Sequence, residues 1–153
     1  MPAPTSRRIA DRIEAAVTSC ARQGVALTEL RRQVFGLILE AGTPVTAYQL
    51  LDRLKKTRKG AVPPTIYRAL DFLLARRLIH KIESLNAFIP CIDPAHGSHS
   101  AQFLICRTCG AVVEVEDRAI SRALGNAVAR QGFHATHALI EVTGECAACV
   151  AAA

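Results

Sequence analysis

Apolar positions recur at helical spacing through the first half of this chain and alternate through parts of its second half. Residues 6–23 place Ile9, Ile13, Ala16 and Val17 on one face and are followed by Gly24, which predicts an amphipathic helix with a glycine stop. A second helical pattern opens at Thr28, runs through Leu30, Val34, Leu37 and Ile38, and is broken by Gly42-Thr43-Pro44. Thr46 is placed to cap a third helix to about Lys56, which buries Leu50, Leu51 and Leu54. After the basic loop Lys55-Lys56-Thr57-Arg58-Lys59-Gly60, Pro63-Pro64-Thr65 start a fourth helix with Ile66, Ala69, Leu70, Leu73 and Leu74 inward. Its other face offers Thr65, Tyr67, Arg68, Asp71 and Arg76 to solvent or to a DNA major groove.

The period then changes. Leu78, His80 and Ile82, then Phe88 and Pro90, flank the turn-like Ser84-Leu85-Asn86 and predict a β-hairpin. Helices closed by a short hairpin predict a winged helix-turn-helix domain over residues 1–90. Residues 91–99 are polar, contain Pro94 and Gly97, and read as a hinge. Residues 100–153 predict strands at 100–106 and 111–115, a helix at 117–131 with Ile120, Leu124 and Val128 inward, and a third strand at 135–143. The expected class is therefore α+β. A winged helix-turn-helix is followed by a small α/β dimerisation domain with a three-stranded antiparallel sheet. So short a second domain buries little core, so metal and a second copy are the expected supports.

The metal has a clear candidate. Cys106-Arg-Thr-Cys109 and Cys146-Ala-Ala-Cys149 are two Cys-x-x-Cys pairs. Each puts two thiolates on one tight turn, and two such turns complete a closed zinc tetrahedron. The rival is a pair of disulfides or a redox couple, which a chain without secretory features does not favour. A second constellation gathers His80, Cys91, His96, His99 and Glu114 around the domain junction. His80, Cys91, His99 and Glu114 would form an N/S/N/O set suited to Zn²⁺, with the thiolate arguing against Fe²⁺, Mn²⁺ or Mg²⁺. The alternative is four unrelated polar side chains.

Charge sharpens the division. Residues 1–83 hold fifteen Lys/Arg against seven Asp/Glu, whereas residues 84–153 hold four against six. A basic first half suits a polyanion, although a merely soluble basic surface gives the same numbers. No apolar run approaches bilayer length, and the N-terminus leads into a charged amphipathic stretch, so the expected location is the cytoplasm with no membrane contact. The chain lacks His-Glu-x-x-His and the deaminase motifs, and both candidate sites have four protein ligands, so a zinc enzyme is not expected. A thiol redox sensor on the same fold is a further rival.

Thr65-Ile66-Tyr67-Arg68-Ala69-Leu70, Leu78-Ile79-His80-Lys81-Ile82-Glu83, the stretch from His99 to Cys106-x-x-Cys109-Gly110, and Cys146-x-x-Cys149 resemble the ferric uptake regulator (Fur) family from about residue 7 to 150. Asn86-Ala87-Phe88-Ile89-Pro90-Cys91 and Gly144-Glu145-Cys146-Ala147-Ala148-Cys149 resemble its zinc uptake regulator (Zur) branch. The resemblance implies a homodimeric, zinc-responsive repressor that binds a palindromic double-stranded DNA operator and represses zinc-uptake genes. It implies two zinc ions per chain. The structural zinc falls on Cys106, Cys109, Cys146 and Cys149, and the sensing zinc on His80, Cys91, His99 and Glu114. Tyr48 and Arg68 match DNA-contacting positions, and Thr65 and Tyr67 share the recognition helix. Iron-type members carry a denser histidine cluster before the first cysteine pair, where this chain has only His96 and His99. His96 is an alternative to His99. His134 and His137 lie near positions where some members bind a further metal. Cys20 matches no ligand position and is expected as a buried thiol.

Overall fold

The computed structural model describes residues 5–92, 101–136 and 138–152. The chain forms two compact units, Met1–Cys91 and Ile92–Ala153.

The first unit runs α1 (Ser6–Arg22), α2 (Glu29–Ala41), β1 (Val45–Thr46), α3 (Ala47–Lys55), α4 (Pro63–Ala75), β2 (Ile79–Ile82) and β3 (Ala87–Pro90). The helical stripes meet in one core. Phe35, Ile38 and Leu39 of α2, Leu50 and Leu54 of α3, and Ile66, Leu70 and Leu73 of α4 are all fully enclosed. Ile9 and Ile13 of α1 pack against them. Cys20 is buried as expected, and burial pushes its thiol pKa up.

Helix starts and stops follow local chemistry. Thr46 caps α3 reciprocally: Gln49 N–H donates to Thr46 Oγ1 at 3.2 Å, and Thr46 N–H donates to Gln49 Oε1 at 2.9 Å. Gly42 ends α2 at φ 62, a conformation with little cost only for glycine. The wing is the hairpin β2–β3, with His80 opposite Ile89. The sequence pattern missed β1. Two residues show no period, and only the pairing of Val45 with Phe88 makes them a strand.

The second unit runs β4 (Ala101–Cys106), β5 (Val112–Val115), α5 (Arg118–Arg130), β6 (Leu139–Gly144) and α6 (Ala147–Ala151). Its sheet has the order β5-β4-β6. The three strands are those expected, but the sheet is mixed rather than wholly antiparallel. β4 pairs antiparallel with β5 and parallel with β6. The reason lies in the connections: a tight turn joins β4 to β5, whereas α5 intervenes before β6 and lets the chain return in either sense. β6 also starts later than expected, at Leu139, beyond the turn at Gly132.

Asp117 caps α5 by accepting from the N–H groups of Ala119 and Ile120 at 2.7 and 3.2 Å. No residue of α5 is buried, and Ile120 is 44% exposed where an inward position was expected. Periodicity finds an apolar face but does not say whether that face meets its own chain or another. Among the described residues no helix is long and apolar enough to cross a membrane.

Candidate metal centre and nucleic-acid interface

The parallel pairing of β4 with β6 builds the four-thiol cluster. Each Cys-x-x-Cys pair begins at or just beyond the C-terminal end of a strand. Parallel strands bring those ends together, with Cys106 opposite Gly144. Arg107 N–H donates to the Gly144 carbonyl at 3.0 Å, continuing the ladder into the first turn. That turn closes by Gly110 N–H to the Cys106 carbonyl at 2.9 Å, with Gly110 at φ 72. The second pair starts as the N-cap of α6, where Cys149 N–H donates to the Cys146 carbonyl at 3.0 Å.

The sulfurs converge. Cys106 Sγ lies 3.8 Å from Cys149 Sγ, and Cys109 Sγ lies 3.8 Å from Cys146 Sγ. All four lie within 4.8 Å of one another. A disulfide would need about 2.05 Å, so these are four free thiols. Four sulfurs each about 2.3 Å from a central Zn²⁺ are about 3.8 Å apart, so this donor set fits the ion.

The thiols are not equivalent. Hydrogen bonds from the backbone N–H groups of Cys109 and Cys146 bring the Cys106 pKa down to about 6. Hydrogen bonding with the Cys146 and Cys109 side chains pushes that of Cys149 up to about 12. Cys146 N–H reaches Cys106 Sγ at 3.3 Å. Glu145 joins the two turns: Thr108 Oγ1 donates to its Oε1 at 3.0 Å, and Arg107 Nε lies 3.8 Å from the same oxygen. Sequence reasoning did not single out Glu145, whose only signal was its place beside Cys146.

The members of the second constellation sit as follows. In the first unit His80 lies half-buried on β2, and Cys91 is fully buried just past β3. A ring nitrogen of His80 and Cys91 Sγ lie within 4.8 Å of each other. Cys91 N–H donates to the Leu78 carbonyl at 3.0 Å, which extends the hairpin and puts both side chains on one face. In the second unit Glu114 is half-buried on β5, and its Oε2 accepts from Ile92 N–H at 3.0 Å. His99, His96 and His137 lie outside the described residues, and His134 is exposed.

The candidate nucleic-acid face lies on the first unit. α3 presents Tyr48, and α4 presents Tyr67, Arg68 and Asp71, all exposed. Thr65 is half-buried, and its hydroxyl accepts from Val62 N–H at 3.4 Å, helping to start its own helix. Arg76 departs from the expected face. Its Nη1 donates to Gln23 Oε1 at 2.9 Å, because α4 ends there and the side chain turns back toward the end of α1. Arg31 and Arg32 of α2 are basic but have structural tasks. Arg31 lies 3.6 Å from the Phe72 ring centroid and donates to the Ala26 carbonyl at 2.9 Å, while Arg32 Nε donates to the Leu27 carbonyl at 3.0 Å. Lys55, Lys56, Arg58 and Lys59 remain exposed.

A winged-helix unit joined to a mixed sheet with a closed four-thiol centre defines a metal-binding protein of the DNA-binding class. The profile described as "Ferric uptake regulator family" matches residues 22–143, and the chain belongs to that family. It is 40% identical over 131 residues to the zinc uptake regulation protein of Escherichia coli K12, covering 86% of this chain and 77% of that protein. A zinc uptake regulator complexed with zinc and DNA matches with a TM-score of 0.91 at 36% identity, covering 97% of this chain and 98% of that one. The crystal structure of holo XcZur matches with a TM-score of 0.85 at 43% identity, covering 92% and 98%.

Proposed function

We propose that this chain is a zinc-responsive transcriptional repressor that binds a palindromic operator in double-stranded DNA as a homodimer and controls zinc-uptake genes. The observation that carries the reading is the match, over nearly the whole chain, to a zinc uptake regulator complexed with zinc and DNA. In this reading residues 1–90 bind DNA, 91–99 form the hinge, and 100–153 dimerise and hold the structural zinc. The protein acts in the cytoplasm and is not an enzyme: four thiols close the structural site and leave no position for a reacting water.

Two zinc ions per chain have different tasks. Cys106, Cys109, Cys146 and Cys149 hold the structural ion. His80, Cys91, His99 and Glu114 hold the regulatory one. When bound, the regulatory ion would be held by His80, Cys91, His99 and Glu114 and would supply bonds that link these donors. His80 and Cys91 lie close together, so the first unit can supply two of the four donors. Completing that site restricts how the DNA-binding units move, and in a dimer this sets the spacing of the two recognition helices. A coupling of about 3 kcal/mol corresponds to roughly 150-fold in DNA affinity.

A second copy has an apolar surface to cover. Leu104 of β4 pairs with Val113 of β5 and Val142 of β6, which places the three in one row across one face of the sheet. They are 47%, 48% and 53% exposed in the single chain. Ile120 adds to the exposed apolar surface of the same unit. On DNA, Arg68 reads a guanine edge, Tyr48 and Tyr67 pack on bases or bond phosphates, Thr65 orders the start of the recognition helix, and the lysines of the basic loop attract the backbone.

The deciding experiment is a DNA-binding titration of protein retaining one zinc per chain. DNA from upstream of its own gene and of a zinc importer is used with buffered Zn²⁺, Fe²⁺ or Mn²⁺. Tight, sequence-specific binding that appears with a second equivalent of Zn²⁺ alone is expected. Preference for Fe²⁺ or Mn²⁺ moves the protein to another branch of the family. Binding indifferent to every metal removes the sensing mechanism.

A further inference from the structure

Cys91 is the last residue of the first unit, and both of its backbone polar groups are held. Its N–H donates to the Leu78 carbonyl at 3.0 Å, which continues the wing ladder. Its carbonyl accepts from Nη2 of Arg12, a residue of α1 that is 79 positions away. We propose that Arg12 is a positioning residue of the regulatory metal site. Its guanidinium fixes the peptide after Cys91 and so aims the thiol at the side of His80. This inference rests on the proposed reading that Cys91 is a metal ligand.

The physical case starts from the peptide planes. A planar peptide leaves only two soft backbone torsions per residue. The hydrogen bond at Leu78 holds the plane before Cys91, and the one at Arg12 holds the plane after it together with the Ile92 N–H bond to Glu114 Oε2. The side chain then retains only rotation about Cα–Cβ, which has three staggered positions. Cys91 is fully buried, so packing selects among them, and the observed one puts Sγ within 4.8 Å of a His80 ring nitrogen. Without Arg12, the carbonyl of Cys91 loses a charged donor. The peptide after Cys91 keeps its Ile92 N–H bond to Glu114 but loses its tie to α1.

Arg12 is itself well anchored. It is half-buried on α1, next to Ile13, which packs with Ile9 against the core. Its methylene stem can lie along apolar surface while the charged head reaches the carbonyl. α1 carries none of the residues assigned to DNA reading. A link from α1 to the ligand at the unit boundary therefore gives this helix a share in metal sensing. Groups that orient metal ligands commonly control affinity by about 10- to 100-fold.

The test uses the full chain with its structural zinc in place, and compares Arg12→Ala, Arg12→Lys and Cys91→Ser with the parent. Three readouts are needed: competition of the second zinc equivalent against a chromophoric chelator, the thiolate-to-metal absorption of Co²⁺ loaded at that second site, and the urea midpoint of the first unit. Arg12→Ala is expected to weaken the second equivalent by about 10- to 100-fold and to diminish or shift the Co²⁺–thiolate band, with the urea midpoint close to the parent's. Arg12→Lys keeps a charged donor group and is expected to recover most of both. Parent-like affinity and spectrum in Arg12→Ala would overturn the positioning role. So would a fall in affinity that tracks a fallen urea midpoint and is not recovered by lysine, since that marks a structural residue only. Cys91→Ser separates the two layers. If it keeps the second equivalent and never had a thiolate band to lose, the ligand assignment fails and the role of Arg12 falls with it. If it loses both while Arg12→Ala does not, only the inference about Arg12 fails.

Discussion

The two units of this chain reach order by different means. The first, Met1–Cys91, encloses Phe35, Ile38, Leu50, Leu54, Ile66, Leu70 and Leu73 between four helices and a small sheet. Among the described residues of the second, Ile92–Ala153, Phe103 alone is a large side chain among the most fully buried, and helix α5 buries none of its residues. It gathers four thiols instead. Where a segment has enough apolar area, burial against its own elements suffices. Where it has not, metal–thiolate bonds and a second chain must supply what is missing.

Removing the metal tests the contrast most severely. Chelation of zinc, or Cys106→Ser, removes a contribution on the order of 10 kcal/mol from the second unit. The expected outcome is loss of protection from hydrogen exchange over β4–β6 and of the dimer, with α1–α4 still protected. Parallel loss of protection in both units would break the comparison. Leu70→Ala reverses the experiment. A cavity in a fully enclosed site should cost about 2–5 kcal/mol, read as a lowered urea midpoint for the first unit with zinc content unchanged.

The next effects concern surfaces. Arg68→Ala is expected to cost about 1–3 kcal/mol on the operator and much less on random DNA, in paired binding titrations. Equal weakening on both would assign Arg68 to phosphate contact. Leu104→Glu puts a charge in the exposed apolar row and should raise the dimer dissociation constant at least tenfold, about 1.4 kcal/mol, by sedimentation. An unchanged dimer would place the interface elsewhere. The smallest expected effect is Thr46→Ala, which removes the reciprocal cap of α3 and should lower the first unit's stability by about 1 kcal/mol without touching the second.

Much of this was legible in order along the chain. The four helices of the first unit, the glycine stops and the Thr46 cap are local matters. The 3.6-residue period and the capping side chains act within a few residues of each other, so sequence alone determines them. The clustering of the four cysteines was legible for a similar reason, because Cys-x-x-Cys spacing brings two thiols onto one turn.

What lay beyond the sequence is what depends on distant partners. β1 exists only because Val45 meets Phe88. Arg76 leaves the recognition face because Gln23, far back on the chain, is within reach. Ile120 stays 44% exposed, since no described element of its own unit buries it. The sense of β6 is the clearest case. Strand patterning is identical for parallel and antiparallel neighbours, so nothing in residues 135–143 chooses between them. Tertiary structure chose the parallel arrangement, and the physical consequence is direct. Only strands that run the same way bring the Cys106 and Gly144 ends together, and with them the two pairs of sulfurs.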